Sequence, residues 1–250
     1  MLMKKMIKFL ILALFIACAD NDVAPASGGE NVGTGGSLAR FTISNNHLYA
    51  VDERTLLTFS LQEAMNPAKV DEFELDWGVE TIFAMDTIVF IGTQTGMHLF
   101  DITESSRPGF LSTYEHIQSC DPVVAQDTLA FVTLRSGNAC FRGVNRLDVI
   151  DIRNLREPQL LHSIPMENPN GLAVRGNRLF VCEGKFGMKV FEIKENGMLE
   201  EIKFYNSIRS NDVILNNDSL MIVVADDGLF QYDYSDVRNI ELLSQIRVEF

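Results

Sequence analysis

The sequence predicts an all-β protein, a five-bladed β-propeller built from four-stranded antiparallel blades. A motif recurs five times after residue 37, each copy holding a polar turn, an apolar run and a second run that usually ends in an acidic residue. Successive turns are about 40, 41, 50 and 41 residues apart, a period typical of propellers and solenoids. The turns are Asn46-His47, Asp86-Thr87, Asp127-Thr128, Asn177-Arg178 and Asp218-Ser219.

Each repeat contains four short β-rich runs separated by Asp, Gly and Pro, without helical periodicity. In the second repeat the runs are residues 82–84, 88–91, 97–102 and 109–114, and in the fourth they are 172–174, 179–182, 188–193 and 199–204. The first and last repeats end in the runs 70–75 and 242–248. Four strands cannot bury both of their faces alone, so we expect the sheets to stack radially. The predicted repeats are residues 38–78, 79–119, 120–169, 170–210 and 211–250.

The third β-rich runs of the five repeats can be aligned with one another. The five segments are LTFS at 57–60, MHLFD at 97–101, LDVID at 147–151, MKVFE at 188–192 and LFQYD at 229–233. This pattern resembles the LVIVD-repeat family of bacterial and archaeal proteins, and 147–151 with Pro158 is the nearest match. The resemblance covers residues 38–250 and implies a β-propeller. It implies no activity, because the family has no established common one.

Four of the third runs end in a carboxylate, and the first ends in Ser60. An acidic side chain between a strand and a turn can accept hydrogen bonds from backbone N–H groups. We therefore expect these residues to be structural, with Pro67, Pro108 and Pro158 setting the geometry of the turns that follow.

The first 17 residues predict a signal peptide, with lysines at 4, 5 and 8 followed by an apolar segment too short to span a bilayer. The segment ends in FIAC at 15–18, which resembles the lipobox of bacterial lipoproteins and implies lipidation of Cys18. The alternative is an ordinary signal peptide with an incidental cysteine. Lipidation is favoured because Cys18 stands where the apolar segment stops, and acyl chains anchor a protein durably.

Residues 18–37 hold this cysteine and a polar, glycine-rich stretch that we expect to be a flexible tether. Residues 38–250 form the propeller domain. We expect the protein to lie in the bacterial cell envelope, anchored by lipid at the outer membrane. It would face either the periplasm or the cell surface.

Charge limits the partners. The formal net charge is −13 and becomes about −16 when the three signal lysines are lost, so binding of nucleic acid is disfavoured. No P-loop, dinucleotide fingerprint, Gly-x-Ser-x-Gly or His-Glu-x-x-His motif occurs, so no cofactor is expected. The four histidines are scattered, and no Cys-x-x-Cys spacing occurs, which disfavours a metal site.

Three cysteines follow Cys18. Export permits pairing, and we favour a disulfide between Cys120, which precedes the first strand of the third repeat, and Cys140, which lies in the enlarged loop of that repeat. Cys182 lies in an apolar run and is expected to be a buried free thiol.

In a propeller the first strand of each blade lines the central channel. The positions that open these strands are Arg40, Glu80, Asp121, Gly171 and Asp212, with Asn170 and Asn211 beside them. We expect them to surround one mouth of the channel, either as a charged, water-filled entrance or as a site for a cation or a polar ligand such as a sugar.

The loop 133–145 carries an insertion of roughly nine residues, and its Arg135 and Arg142 stand out in an acidic chain. Ordered loops on rigid scaffolds often bind ligands. A recognition role and a merely decorative surface loop are both open. Trp77 and the many phenylalanines are interpreted as packing between blades in preference to a platform for a sugar.

The favoured function is a non-enzymatic binding or scaffold module, tethered by lipid, that engages an envelope protein or polar ligand. The alternative is a carboxylate-dependent hydrolase or lyase acting on a glycan-like substrate, with Glu80 paired with Asp121 or Asp212. A purely structural envelope component is a third hypothesis.

Overall fold

The computed structural model describes residues 36–115, 122–136 and 145–248. These residues form twenty β-strands in five four-stranded antiparallel sheets, each following chain order, which confirms the predicted propeller. The described part of the chain contains no helix, and therefore none long and apolar enough to cross a bilayer. The predictions for Cys18, Cys120, Asp121, Cys140 and Arg142 lie outside the described residues.

The strands of the five blades run in order along the chain. Blade 1 contains β1 (Phe41–Ser44), β2 (His47–Val51), β3 (Thr55–Ser60) and β4 (Ala68–Glu74). Blade 2 contains β5 (Val79–Met85), β6 (Ile88–Thr93), β7 (Gly96–Asp101) and β8 (Gly109–Glu115). Blade 3 contains β9 (Val123–Gln126), β10 (Leu129–Leu134), β11 (Arg146–Asp151) and β12 (Gln159–Pro165). Blade 4 contains β13 (Leu172–Arg175), β14 (Arg178–Cys182), β15 (Met188–Ile193) and β16 (Leu199–Tyr205), and blade 5 contains β17 (Asp212–Leu215), β18 (Leu220–Ala225), β19 (Gly228–Asp233) and β20 (Glu241–Arg247).

The polar turns join the first and second strands of each blade, as predicted. Asn45, Asn46, Asp86 and Asp127 adopt left-handed backbone angles, with φ between 49° and 56°. Asn and Asp tolerate this region better than other residues that carry a side chain. In the first and fourth repeats the turn lies one residue earlier than predicted, at Asn45-Asn46 instead of Asn46-His47 and at Gly176-Asn177 instead of Asn177-Arg178.

The core lies between the blades. Four hydrophobic clusters join blade 1 to 2, 2 to 3, 3 to 4 and 4 to 5. They contain fully buried phenylalanines, such as Phe90, Phe100 and Phe180, which confirms the packing role predicted for this residue type. Side chains alternate along the inner strands, so each sheet contributes one face to each neighbour.

The junction between blade 5 and blade 1 differs from the other four. Among the described residues, no hydrophobic cluster joins these two blades, and β1 does not pack on β17 as the other neighbouring inner strands pack on each other. Leu229 is 43% exposed, whereas Met97, which has the equivalent place in blade 2, is fully buried. Phe41, on the facing side of blade 1, is 58% exposed. We call this place the 5–1 junction.

Residues 36–38 bridge the blades near the axis. The Ser37 hydroxyl donates to the Asp212 carboxylate of blade 5 at 3.1 Å and accepts from the Leu172 N–H of blade 4 at 2.8 Å. Residues from all five inner strands line one central cavity of about 190 Å³ beneath this segment. The five blades therefore surround a common axis, and the chain leading into blade 1 contacts blades 4 and 5.

Candidate functional site

One end of the propeller holds the loops that enter the first strand of each blade and the loops that join its second and third strands. We call this end the loop face. Its loops contact one another: the Gln94 N–H donates to the Gly78 carbonyl at 2.9 Å, and the Asn211 amide donates to the Asp226 carboxylate at 2.6 Å. The strand order therefore places the described members of the predicted site, such as Arg40, Glu80 and Asp212, at this end.

A polar cleft of about 490 Å³ opens on the loop face between blades 1 and 2. We call it the Trp77 cleft, and its walls are Arg40, Glu53, Trp77, Gly78, Val79, Glu80 and Gln94. A second depression of about 560 Å³ is lined by Asp52, Glu53, Arg54, Thr55 and Glu74. Because Glu53 borders both, the two depressions adjoin.

Backbone contacts hold the floor of the Trp77 cleft. The Val79 N–H donates to the Glu53 carbonyl at 3.4 Å, which ties the entry of β5 to the loop after β2. Gly78 has φ +89°, a left-handed angle that suits glycine, and a Cβ there would lie 3.0 Å from the Gln94 side chain. Glycine at this position lets the Gln94 amide pack closely over the backbone.

Trp77 is 65% exposed, so its interpretation as a packing residue is wrong. It precedes β5 in the loop from β4, and the Arg54 guanidinium lies 4.6 Å from the centre of its ring. A cation over an indole face is attracted by the ring quadrupole, which orders both side chains. The loop thus presents a large amphipathic ring to solvent beside polar groups.

Arg40 and Glu80 are two of the predicted strand-opening residues, and the structure brings them together in the Trp77 cleft. Arg40 stands directly before β1, and its Nη2 donates to the Val79 carbonyl at 3.2 Å. Glu80 is the second residue of β5. The cleft therefore joins a fixed guanidinium to a carboxylate from the neighbouring blade.

Asp212, a third predicted member, is buried and bonded to the chain itself. Its Oδ1 accepts from the Ser37 hydroxyl at 3.1 Å and from the Val213 N–H at 3.0 Å, while Oδ2 accepts from the Leu38 N–H at 3.4 Å. Burial raises the pKa of this carboxyl above its ordinary value, although these hydrogen bonds oppose the shift. A Cβ on Gly171 would lie 2.1 Å from Asp212, so a glycine is needed beside the carboxylate.

Asn170 and Asn211 are held by internal hydrogen bonds. The Asn170 side-chain amide donates to the Asn168 backbone carbonyl at 2.8 Å. The Asn170 backbone carbonyl accepts from the Thr133 hydroxyl at 2.6 Å. Asn211 contacts Asp226, as described above. The Asn211 side chain therefore fastens two loops of the loop face to one another, whereas the Asn170 side chain fixes its own loop.

The side-chain amide of Asn145 connects the two described ends of the enlarged third-repeat loop. The Asn145 Oδ1 accepts from the Ser136 N–H at 2.9 Å, and its Nδ2 donates to the Glu167 carbonyl at 2.5 Å. Arg135 lies at the end of the blade 3 inner hairpin, before this connection. Residues 137–144, which include Arg142, lie outside the described residues, so the predicted recognition role of the loop stays a prediction.

The backbone hydrogen bonds predicted for the four strand-ending acids are confirmed at three of them, whereas Glu192 accepts from the side chains of Lys194 at 2.6 Å and Asn177 at 3.2 Å instead. The carboxylates of Asp101, Asp151 and Asp233 each accept a backbone N–H two residues later, at 2.7, 2.9 and 2.8 Å. Hydrogen bonds from Thr103, Arg153 and Ser235 hold the pKa of the respective carboxyls below the ordinary value.

Cys182 is a fully buried free thiol, as expected. Burial raises the pKa of this thiol far above the ordinary value, which disfavours the reactive thiolate. The residue therefore belongs to the packing between blades 4 and 5.

The chemistry of the Trp77 cleft suits a polar, uncharged ligand. Arg40 and the Gln94 amide donate hydrogen bonds, and Glu53 and Glu80 accept them. Within the described residues, His, Cys, Asp and Glu side chains form no group of three or more that could hold a metal ion. Sequence reasoning missed Glu53 and Gln94, which lie in the loops between the second and third strands of blades 1 and 2.

No protein-family model and no curated protein matches the chain. Solved structures do, and they are propeller proteins. The chain is similar to a protein from Lactobacillus plantarum, with 13% identity over 81% of this chain and 69% of that chain, at a TM-score of 0.64. It is also similar to the periplasmic gluconolactonase PpgL of Pseudomonas aeruginosa, with 11% identity over 81% of this chain and 68% of that one, at a TM-score of 0.63.

Apo AztD from Citrobacter koseri is a third similar structure, with 11% identity over 82% of this chain and 61% of that chain, at a TM-score of 0.60. The chain thus spans about two thirds of the length of these proteins. At such identities the similarity shows the fold alone.

Proposed function

We propose that this protein is a non-enzymatic binding module of the bacterial cell envelope, exported and anchored at the outer membrane by a lipid on Cys18. Its binding surface is the loop face, and the ligand contacts the Trp77 cleft. The sequence supports export and anchoring through the signal peptide, the FIAC segment at 15–18 and the glycine-rich tether.

The observation that carries the proposal is the composition of the Trp77 cleft. A soluble domain seldom exposes two thirds of a tryptophan without a partner, because the ring buries a large apolar area when it binds. Here Trp77, 65% exposed, stands beside Arg40 and two carboxylates on loops that a rigid scaffold holds in place. Aromatic and arginine side chains of this kind contribute most of the energy in binding sites.

The hydrolase alternative has less support. It pairs Glu80 with Asp121 or Asp212, and both oxygens of the buried Asp212 are engaged by residues 37, 38 and 213. Asp121 lies outside the described residues. The neighbour named a gluconolactonase is 11% identical, so its activity lends this chain no reaction.

The test compares the wild type with a combined Arg40→Ala, Trp77→Ala and Glu80→Ala variant. Both full-length proteins are immobilised in detergent and exposed to solubilised envelope material, and retained protein and carbohydrate are quantified by mass spectrometry. We expect the variant to retain at least about tenfold less of the specific component, because the central anchors of the site are gone.

A matched control removes an exposed ion pair on the outer strand β4, through Lys69→Ala and Glu72→Ala. It should retain as much as the wild type. Equal retention by the cleft variant would contradict the binding site. Turnover of glycosides, esters or lactones by the wild type, lost in Glu80→Gln, would overturn the non-enzymatic proposal.

A further inference from the structure

We propose that the ligand of the Trp77 cleft is a neutral saccharide that stacks on the Trp77 ring. This inference rests on the proposed function and names the chemical class of its ligand. It is carried by the exposed ring, the polar groups around it, and the balance of charge in the cleft.

Trp77 provides the stacking surface. The ring is 65% exposed and borders the cleft, while Arg54, which is stacked on it at 4.6 Å, lines the second depression and not the cleft. The guanidinium therefore steadies the ring without occupying the cleft. A pyranose has one apolar C–H face that matches an indole, and its equatorial hydroxyls point outward from the stack to nearby polar groups.

The polar lining fits hydroxyl groups. A hydroxyl donates one hydrogen bond and accepts others, so it can pair with the guanidinium of Arg40, the carboxylates of Glu53 and Glu80, or the Gln94 amide. Planar, two-pronged side chains of this kind can each bind two adjacent hydroxyls of a sugar ring.

Charge favours a neutral sugar over an acidic one. The cleft contains one arginine and two glutamates, in a chain of net charge −13. A uronic acid would add another carboxylate beside these, and like charges in a partly desolvated cleft repel.

Size favours an oligosaccharide. The cleft, at about 490 Å³, lies within the usual range for ligand sites, and the depression of about 560 Å³ adjoins it through Glu53. A chain of several sugar units can therefore begin in the Trp77 cleft and continue past Glu53. We expect affinity to rise with oligosaccharide length until both depressions are filled.

The chain itself supplies the reporter, because Trp77 is its single tryptophan. The full-length protein in detergent is titrated with cellohexaose, laminarihexaose, mannohexaose and chitohexaose, and with hexagalacturonic acid as the acidic counterpart. At least one neutral hexaose should change the tryptophan emission in a saturable way, and the acidic hexamer should bind at least about tenfold more weakly.

Calorimetry then separates stacking from other contacts. Trp77→Ala should weaken binding of the active hexaose at least about tenfold, and Trp77→Phe should lose less because a smaller ring remains. Phe186→Ala is the matched control, since this residue is 40% exposed on another loop of the same face with the Lys185 ammonium 5.2 Å from its ring. It should bind as the wild type does.

The assignment of a neutral saccharide would be overturned by any of three results. The first is that no neutral hexaose changes the tryptophan emission or releases heat at millimolar concentration. The others are that Trp77→Ala binds the hexaose as tightly as the wild type does, or that the acidic hexamer binds more tightly than every neutral hexaose. Failure of this assignment is distinct from failure of the proposed function. If the combined cleft variant still loses a retained envelope protein while every hexaose fails, the loop face binds protein and the saccharide assignment is wrong.

Discussion

Asp212 lies at a position where a ligand could bind, but its carboxylate instead holds another segment of the same chain in place. It opens β17 at the loop face, where the sequence suggests an exposed ring of charges. The segment 36–38 covers it, and the carboxylate binds that segment through Ser37 and Leu38. Glu80, at the corresponding place in blade 2, lines the Trp77 cleft instead.

The buried Asp212 carboxyl should lower stability as pH rises. Its pKa in the folded protein is raised by burial, so the folded state keeps a proton that the unfolded chain loses near the ordinary value of 3.8. Its contribution to stability is fully present below that value and is lost as pH rises through the raised folded pKa. Asp212→Asn should therefore gain stability relative to the wild type as pH rises above 3.8, as urea denaturation at several pH values will show.

Asp233→Asn is the opposite control. The Ser235 N–H lowers the pKa of Asp233, so the stability that this carboxylate contributes is present above the ordinary value and lost as pH falls through the lowered one. Curves of Asp212→Asn and wild type that stay parallel from pH 4 to pH 7 would show that Asp212 does not titrate in this range.

The blade is a unit that repeats in detail. In every blade a bulge shifts the register between the third and fourth strands. The residue after the third strand, or in blade 4 its last residue Ile193, donates its N–H to the turn between strands one and two. Ile102 bonds Thr87 at 2.8 Å in this way, and Ile152 bonds Thr128 at 2.9 Å. These contacts are local in the chain, which is why a motif of about 41 residues specifies them.

Equivalent strand positions should differ in their contribution to stability, because the blades are not packed equally. Met97 in β7 is fully buried between blades 2 and 3, whereas Leu229 in β19 is 43% exposed at the 5–1 junction. Met97→Ala should lower the free energy of unfolding by about 2–5 kcal/mol. Leu229→Ala should cost about 1 kcal/mol or less.

Urea denaturation of both variants checks the comparison, with unchanged m-values showing that the same surface unfolds. If Leu229→Ala is as costly as Met97→Ala, blade 5 packs on blade 1 in solution and the 5–1 junction is closed. If both substitutions lower the free energy of unfolding only slightly, the junction between blades 2 and 3 relaxes into the cavity that Met97→Ala creates.

The whole propeller combines four apolar junctions with a fifth that is bridged near the axis by residues 36–38. The described domain begins there, on the loop face. The predicted tether is residues 18–37. If its residues 19–35 are flexible, their typical reach is roughly 20–25 Å, and an anchor on Cys18 would keep the loop face close to the membrane.

Replacement of the predicted lipid site tests this arrangement. Cys18→Ala should move the protein from the membrane fraction to the soluble fraction and remove the mass of an acyl-glyceryl group, because no other anchor is expected. Cys182→Ala is the control, since that thiol is buried and should leave membrane attachment unchanged. Unchanged fractionation of the Cys18 variant would refute lipidation.

The fold could be predicted because its signals are local. Run lengths, polar turns and the acid that ends the third strand repeat within about 41 residues, and the run 188–193 coincides with β15. The predicted starts of the inner strands lie within one residue of the observed starts in blades 1, 2, 4 and 5, so Arg40 stands just before β1 and Glu80 is the second residue of β5. Strand order in a meander then sets which loops share a face.

By itself the sequence determined the repeat, the blades and the end of the propeller at which the loops gather. Only the tertiary structure decided that Trp77 is exposed, that Asp212 is buried under residues 36–38, and that no described residues form an apolar core at the 5–1 junction. Ser37 and Asp212 lie 175 positions apart in the chain. Burial at such sites depends on contacts between segments that are far apart in the sequence. Composition and periodicity do not predict those contacts, because they describe only residues that are close together in the chain.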